Sequence, residues 1–273
     1  MSLNLNIKGN SGCIIDVHNN IVTKTVSNID NNSRLEAQCR KQSDFEKTKI
    51  FRAPNIYDYG IKNKKYFFDM EFIPYKTYDK VFNIADKQYL DNICYKLLSF
   101  IKENSYGFKL VSNEIIIEKF ELTKNKIHKQ HNIDLSYLSK VFYSLNNELH
   151  LPSGYCHGDL TFSNMLFDKE DIVLIDFLDT YFDSPIQDIV KLRQDTKYYW
   201  SLMMTTDYVD KLKMKQCFSY IDNKLHSEFS KLEYYNLYYI PFQILNLMRV
   251  IPYCTNKDNI NFLIKNINKL WQH

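Results

Sequence analysis

No apolar run in the 273-residue chain approaches the roughly 20 residues that span a bilayer, so neither a transmembrane helix nor a membrane partner is expected. The opening residues MSLNLNIKGN carry neither a cationic stretch nor an apolar one, and no secretory signal is expected. Cysteines at C-x-x-C spacing are also missing. Cys13, Cys39, Cys94, Cys156, Cys217 and Cys254 lie scattered, which excludes the common zinc patterns and gives no disulfide framework. These absences predict a cytoplasmic protein. An excess of one charge is lacking too. Lys and Arg total 35 against 32 Asp and Glu, a net +3, too balanced for the electrostatic footprint of a nucleic-acid binder. The local run Lys62, Lys64 and Lys65 reads as a solvated hairpin tip and is the one feature favouring an RNA-binding alternative. Internal repeats and low-complexity linkers are absent.

What is present is a core. Hydrophobic residues make up 45% of the chain, with 21 Tyr and 18 Phe, so a disordered chain is excluded and most rings are expected inside. The length suits one two-lobed unit or two small domains. Polar residues with chemical potential concentrate in GYCHGDLTFSNMLFDKEDIVLIDFLDTYFDSPIQD, which begins at Gly154 and ends at Asp188. His157-Gly158-Asp159 opens a loop, and Asn164 follows at D-x-x-x-x-N spacing. The short β-branched run Ile172 to Ile175 then reads as a buried strand delivering Asp176 at its end. Taken singly, His157-Gly158-Asp159 also fits a plain turn. Cys156 beside it reads as a small buried residue rather than a nucleophile. A carboxylate that orients and deprotonates a hydroxyl, with an amide oxygen and a second carboxylate for Mg²⁺, is the set that phosphoryl transfer requires.

At these residues the chain resembles the protein-kinase-like superfamily, and within it the small-molecule phosphotransferases: aminoglycoside phosphotransferases and choline or ethanolamine kinases. Protein kinases write the loop H-R-D-L-x-x-x-N and the metal site D-F-G. This chain writes His157-Gly158-Asp159-Leu160 with Asn164, and Ile175-Asp176-Phe177-Leu178. The resemblance implies an α+β, two-lobed fold with an N-terminal antiparallel sheet plus helix and a larger, mostly helical C-terminal lobe. It implies ATP or another nucleoside triphosphate, Mg²⁺ and a small-molecule hydroxyl acceptor. Asp159 becomes the catalytic base, and Asn164 and Asp176 the metal ligands. A sugar or amino alcohol acceptor is favoured; the alternatives are an aminoglycoside phosphotransferase or a nucleotide-binding pseudokinase scaffold. The oligomeric state stays open.

Along the chain, residues 4–26 read as three antiparallel strands, the last two joined at His18-Asn19-Asn20. Gly9 and Gly12 flank the bend where the family lays its glycine loop over the phosphates, although the full G-x-G-x-x-G is absent. Lys24, in the third strand, holds the place of the family's phosphate-binding lysine. Ser33 reads as the cap of a helix running to about Thr48, and Glu36 is expected to pair with Lys24, with Glu46 the poorer candidate. Strands over Ile56 to Gly60 and Tyr66 to Phe72 lead to an inter-lobe hinge. There the backbone of Glu71 to Ile73 would meet the adenine edge and Met70 would border it. The implied division is residues 1–73 for nucleotide and residues 74–273 for catalysis and the acceptor. Leu135 to Leu149 keeps helical spacing into the catalytic loop, whereas Ile115-Ile116-Ile117 fits strand or helix alike. The segment between Phe177 and Asp188 has no A-P-E signature and no room for a protein kinase's activation segment, which argues against a protein substrate. Asp188 reads as a structural residue at a helix start. Tyr198, Tyr199, Trp200, Tyr234 and Tyr235 are candidate pocket aromatics on the C-terminal helices. Asp179, Asp183 and Asp195 are candidate acids beside them for a cationic acceptor.

Overall fold

The computed structural model of the protein describes residues 5–8, 12–45, 50–169, 171–205 and 209–272. Strands β1 (Leu5–Lys8), β2 (Cys13–His18) and β3 (Ile21–Val26) form the expected antiparallel start. Asn19 and Asn20 close β2 onto β3 with φ of 49° and 62°. Two successive left-handed residues match the twist of a tight hairpin, and Asn tolerates that backbone better than most side chains. Helix α1 (Asn32–Ser43) follows, beginning one residue before Ser33 rather than being capped by it. A 3₁₀ turn at Ile29–Asn31 starts the helical path upstream, capped by Asn28, whose side chain accepts the Asp30 N–H at 3.2 Å.

Strands β4 (Phe51–Arg52), β5 (Ile56–Lys62), β6 (Lys65–Glu71) and β7 (Lys76–Thr77) come next. The Lys-rich tip between β5 and β6 is a second tight turn, at Asn63 and Lys64, with φ of 52° and 67°. The first sheet has the order β1-β2-β3-β6-β5. Alternate residues of β6 (Tyr66, Phe68 and Met70) are buried together with Cys13, Val26, Leu35 and Cys39. Each such large side chain contributes about 1.5–3 kcal/mol when fully buried. The same face of α1 also carries Gln38, Lys41 and Gln42 inward. Buried polar groups must find partners, and Gln42 donates to the Pro54 carbonyl at 2.9 Å.

The rest is mainly helical, as expected. In chain order come α2 (Tyr78–Phe82), α3 (Lys87–Glu103), β8 (Gly107–Ser112), α4 (Asn113–His131), α5 (Ser139–Tyr143) and β9 (Glu148–Ser153). They are followed by β10 (Met165–Asp168), β11 (Asp171–Leu174), α6 (Pro185–Thr196), α7 (Trp200–Met204), α8 (Lys211–Phe229), α9 (Glu233–Val250) and α10 (Lys257–Trp271). Ile115, Ile116 and Ile117 belong to α4. The helix expected over Leu135 to Leu149 is formed only in its first half: a 3₁₀ turn at Ser136–Leu138 runs into α5, which ends at Tyr143, and β9 pairs with β8 from Glu148 onward. Leu149 and Leu151 alternate along β9 and are both fully buried, so the period of two prevails there. Pro241 lies inside α9 without ending it. All six cysteines are buried thiols, Cys156 among them, and no described helix is long and apolar enough to cross a membrane.

The chain divides into two compact units. The first comprises Met1–Val81 and His157–Thr180; the second comprises Phe82–Cys156 and Tyr181–His273. Residues 157–180, placed by sequence with the larger lobe, are grouped with the first unit. Their strands are zipped there, with β11 parallel to β4 (Ile172 beside Phe51) and β10 antiparallel to β7 (Leu166 beside Thr77). In the second unit Arg193 of α6 is buried against Asp222 of α8, with Nη2 to Oδ2 at 2.9 Å.

Candidate active site

Lys24 sits at the middle of β3, paired on either side by Ile15 and Phe68, and its side chain is 2% exposed. A lysine this buried needs compensation, which it receives twice. Its Nζ donates to Asp176 Oδ1 at 2.8 Å and to Gln38 Oε1 at 3.1 Å. Asp176 itself remains 40% exposed, so its carboxylate is within reach of a ligand. Glu36 corrects an expectation: it lies on the exposed face of α1, and the helix offers Lys24 a neutral amide, Gln38, two residues on. Two positions turn about 200° round a helix, which puts Glu36 and Gln38 on opposite faces. Glu46 falls outside the described residues.

Asp176 follows β11 with φ of 60°. The left-handed region is sparsely used by side chains other than Asn and Asp, and such strain collects at functional sites. The loop at Asp159 is held by several hydrogen bonds. Asn164 donates Nδ2 to the Asp159 backbone carbonyl at 2.8 Å and to its Oδ2 at 2.9 Å. Thr161 N–H donates to the same carbonyl at 2.8 Å, and Ile175 N–H ties the loop to the strand end through the Asn164 carbonyl at 3.0 Å. Asp159, Asn164, Lys24 and Asp176 are thus brought together as residues of one unit.

His157 fastens the two halves. Its Nε2 lies 2.9 Å from the Ile175 carbonyl and its Nδ1 accepts the Asp159 N–H at 3.2 Å. Only a neutral ring protonated on Nε2 serves both bonds. Burial pushes the imidazole down to about 4, against the opposing pull of Asp159 and the Ile175 carbonyl. The ring also lies against Phe177, at 4.4 Å between centroids. Gly158 makes the crossing possible. With φ of 86°, a Cβ there would stand 2.2 Å from the Leu178 carbonyl oxygen, so backbone passes over backbone. Lys41 donates to that carbonyl at 3.1 Å, and Leu178 N–H donates to the His157 carbonyl at 3.0 Å. Sequence reasoning missed Gln38, Lys41 and the bracing role of His157; only the inward polar face of α1 signals the first two.

Elsewhere the expected contacts are narrower. Gly12, with φ of 75°, accepts the Ser27 N–H at 3.0 Å, which closes the bend beside β2; Gly9 lies outside the described residues. In the stretch expected to be a hinge, Glu71 N–H is already given to the Asn55 carbonyl and Phe72 N–H to the Asn20 carbonyl, at 2.9 and 3.1 Å. Of the stretch expected to meet adenine, Ile73 is left as the donor. Glu71 uses its carboxylate on Arg52 Nη1 at 2.9 Å, and Met70 packs into the α1 core. Among the described residues no three His, Cys, Asp or Glu gather as a metal cluster. Mg²⁺ does not require one, since one or two protein oxygens plus phosphates suffice. Asn164, whose Nδ2 is engaged, keeps an amide oxygen, and Asp176 has a second carboxylate oxygen besides the one bonded to Lys24. This hard-oxygen pair fits the ion.

Comparison with known proteins gives a consistent result. The model of the phosphotransferase enzyme family (APH) matches residues 39–206. No curated protein sequence matches the chain. Among solved structures, one described as a fructosamine-3-kinase from Haemophilus somnus 129PT is similar at a TM-score of 0.63 and 11% identity, covering 98% of this chain and 90% of its own. A thermostable mutant of aminoglycoside phosphotransferase APH(4)-Ia, in ternary complex with AMP-PNP and hygromycin B, is similar at 0.63 and 12% identity, covering 99% and 93%. A choline/ethanolamine kinase family protein from Mesorhizobium loti is similar at 0.56 and 11% identity, covering 99% and 88%. At these identities the likeness is one of fold, and the fold is the expected α+β, kinase-like one.

Proposed function

Because the chain belongs to the phosphotransferase enzyme family, we propose that it moves the γ-phosphoryl group of ATP, or of another nucleoside triphosphate, to a hydroxyl of a small molecule. A sugar or an amino alcohol such as choline or ethanolamine is the favoured acceptor, with aminoglycosides the alternative. The observation that carries this reading is the buried Lys24, held 2.8 Å from a half-exposed Asp176. Lys24 would grip the phosphates, and Gln38 and Asp176 hold its ammonium in place. Asp159 would accept the proton of the attacking hydroxyl, its carboxylate fixed by the Asn164 amide. Asn164 and Asp176 would hold Mg²⁺, which when bound neutralises charge on the phosphates. Ile73 N–H would receive the adenine edge. AMP-PNP bound to the similar aminoglycoside enzyme supports the nucleotide part of this reading.

The test is ADP release from Mg²⁺–ATP against pooled amino alcohols, sugars, aminoglycosides and nucleosides. Acceptor-dependent release should fall roughly 10²–10⁴-fold in Asp159→Asn, the usual worth of a general base, and should be lost in Asp176→Asn. Release that Asp159→Asn leaves untouched would refute the assignment of the base. One observation favours a second reading, a nucleotide-binding scaffold without turnover: Lys24 meets an amide, not a carboxylate, on α1. Stabilisation by Mg²⁺–ATP without turnover in any pool would favour it.

A further inference from the structure

In the second unit, cations collect on aromatic rings. Lys119 Nζ lies 5.7 Å from the centre of the Tyr181 ring, and the Arg249 guanidinium lies 5.5 Å from the same centre. Lys126, seven residues beyond Lys119 and so on the same face of α4, rests 4.8 Å over Tyr253, just past the end of α9. Among the described residues, none of the three is within ion-pair distance of a carboxylate. Lys119 and Arg249 are partly buried. Burial and the nearby Arg249 both depress the Lys119 ammonium, and Arg249 acts on it more strongly than the acid it also senses, Glu118. An aromatic face attracts cations but brings no net charge, so the ring gathers positive heads without neutralising them. Gln187 of α6 is 3% exposed and lies beside the Tyr181 hydroxyl, and its Nε2 makes no well-aligned hydrogen bond. A buried donor served this poorly asks for an acceptor.

We propose that Lys119 and Arg249, which share the Tyr181 ring, form with Lys126 of the same α4 face a receptor for an oxyanion, a carboxylate or phosphate group. Two cations brought together on one ring cost free energy that an incoming anion recovers, and guanidinium and ammonium heads are the usual donors to such groups. Anion binding itself needs none of the residues assigned to phosphotransfer, whereas the source of the anion rests on that reading. The anion has two chemical sources, a group carried by the acceptor or a free anion acting as effector.

The probe is inorganic phosphate, titrated against thermal stability at constant ionic strength with chloride as the balancing salt. Wild type should show a saturable rise in melting temperature. The midpoint should weaken on the order of tenfold or more in Lys119→Met and in Arg249→Met, the loss expected for one charge-assisted hydrogen bond. Lys119→Arg, which keeps the charge, should stay close to wild type; Lys119→Gln replaces the methionine variant if that one does not fold. Absence of a saturable phosphate effect in wild type, or an unchanged midpoint in both neutral variants, overturns the proposal. The source is read by comparing ADP release with glycerol and with glycerate. A preference for glycerate that Arg249→Met abolishes places the anion on the acceptor. Saturable phosphate binding without such a preference makes the group a free effector.

Discussion

Replacing His157 with Gln should flatten the acid limb of the stability profile. In the native chain the ring stays neutral down to about pH 4, whereas an ordinary histidine protonates at 6.5. Above that value both folded and unfolded chains carry a neutral ring, and the site adds no pH dependence. Below it the unfolded chain takes up the proton and the native chain does not, so stability falls with acid through the window from 6.5 to about 4. At about 1.36 kcal/mol per pH unit the full loss is about 3 kcal/mol, and about 2 kcal/mol is already gone by pH 5. The carboxylates titrate in the same range, but equally in both proteins, so the difference between variant and wild type isolates the ring. Urea unfolding at neutral pH and near pH 5 measures it. With an m-value of about 2 kcal/mol/M, the wild-type midpoint should drop about 1 M further than that of His157→Gln. Parallel midpoints at the two pH values would refute the reasoning. NMR titration of the His157 ring gives a direct second reading.

Two further outcomes follow from the same crossing and its lysine. Gly158→Ala should cost about 1–2 kcal/mol from the left-handed backbone alone, and more because its Cβ would overlap the Leu178 carbonyl; a loss below 1 kcal/mol in chemical denaturation would contradict the placement. Gln38→Leu leaves a buried ammonium short of one acceptor, at a cost of about 1–3 kcal/mol, and should raise the KM for ATP by roughly tenfold with less effect on kcat. An unchanged KM would mean that Gln38 does not position Lys24.

Much of this architecture is legible in the chain because spacing and turn chemistry are local signals. Asp159, Asn164 and Asp176 announce themselves by order and distance, and Asn19-Asn20 by its turn chemistry. What stays hidden has physical causes. The partner of Lys24 is Gln38, an amide where the resemblance leads one to look for a carboxylate, so Glu36 draws attention from the wrong face. Residues Leu135 to Leu149 satisfy a helical period up to Tyr143, but Leu149 and Leu151 satisfy a period of two equally well, and only the partner strand β8 decides. The placement of residues 157–180 in the first unit rests on β4 and β7, two residues each, too short to leave a periodic signal.

The backbone at Asp176 limits how this position can change. Glycine, asparagine and aspartate enter the left-handed region at low cost, and of these only aspartate brings a charge. Any other side chain adds a conformational penalty to whatever it does chemically. Asn at this position therefore isolates charge from backbone, whereas Ala would confound the two. Under relaxed selection, loss of the acidic group costs least in backbone strain through Asn or Gly.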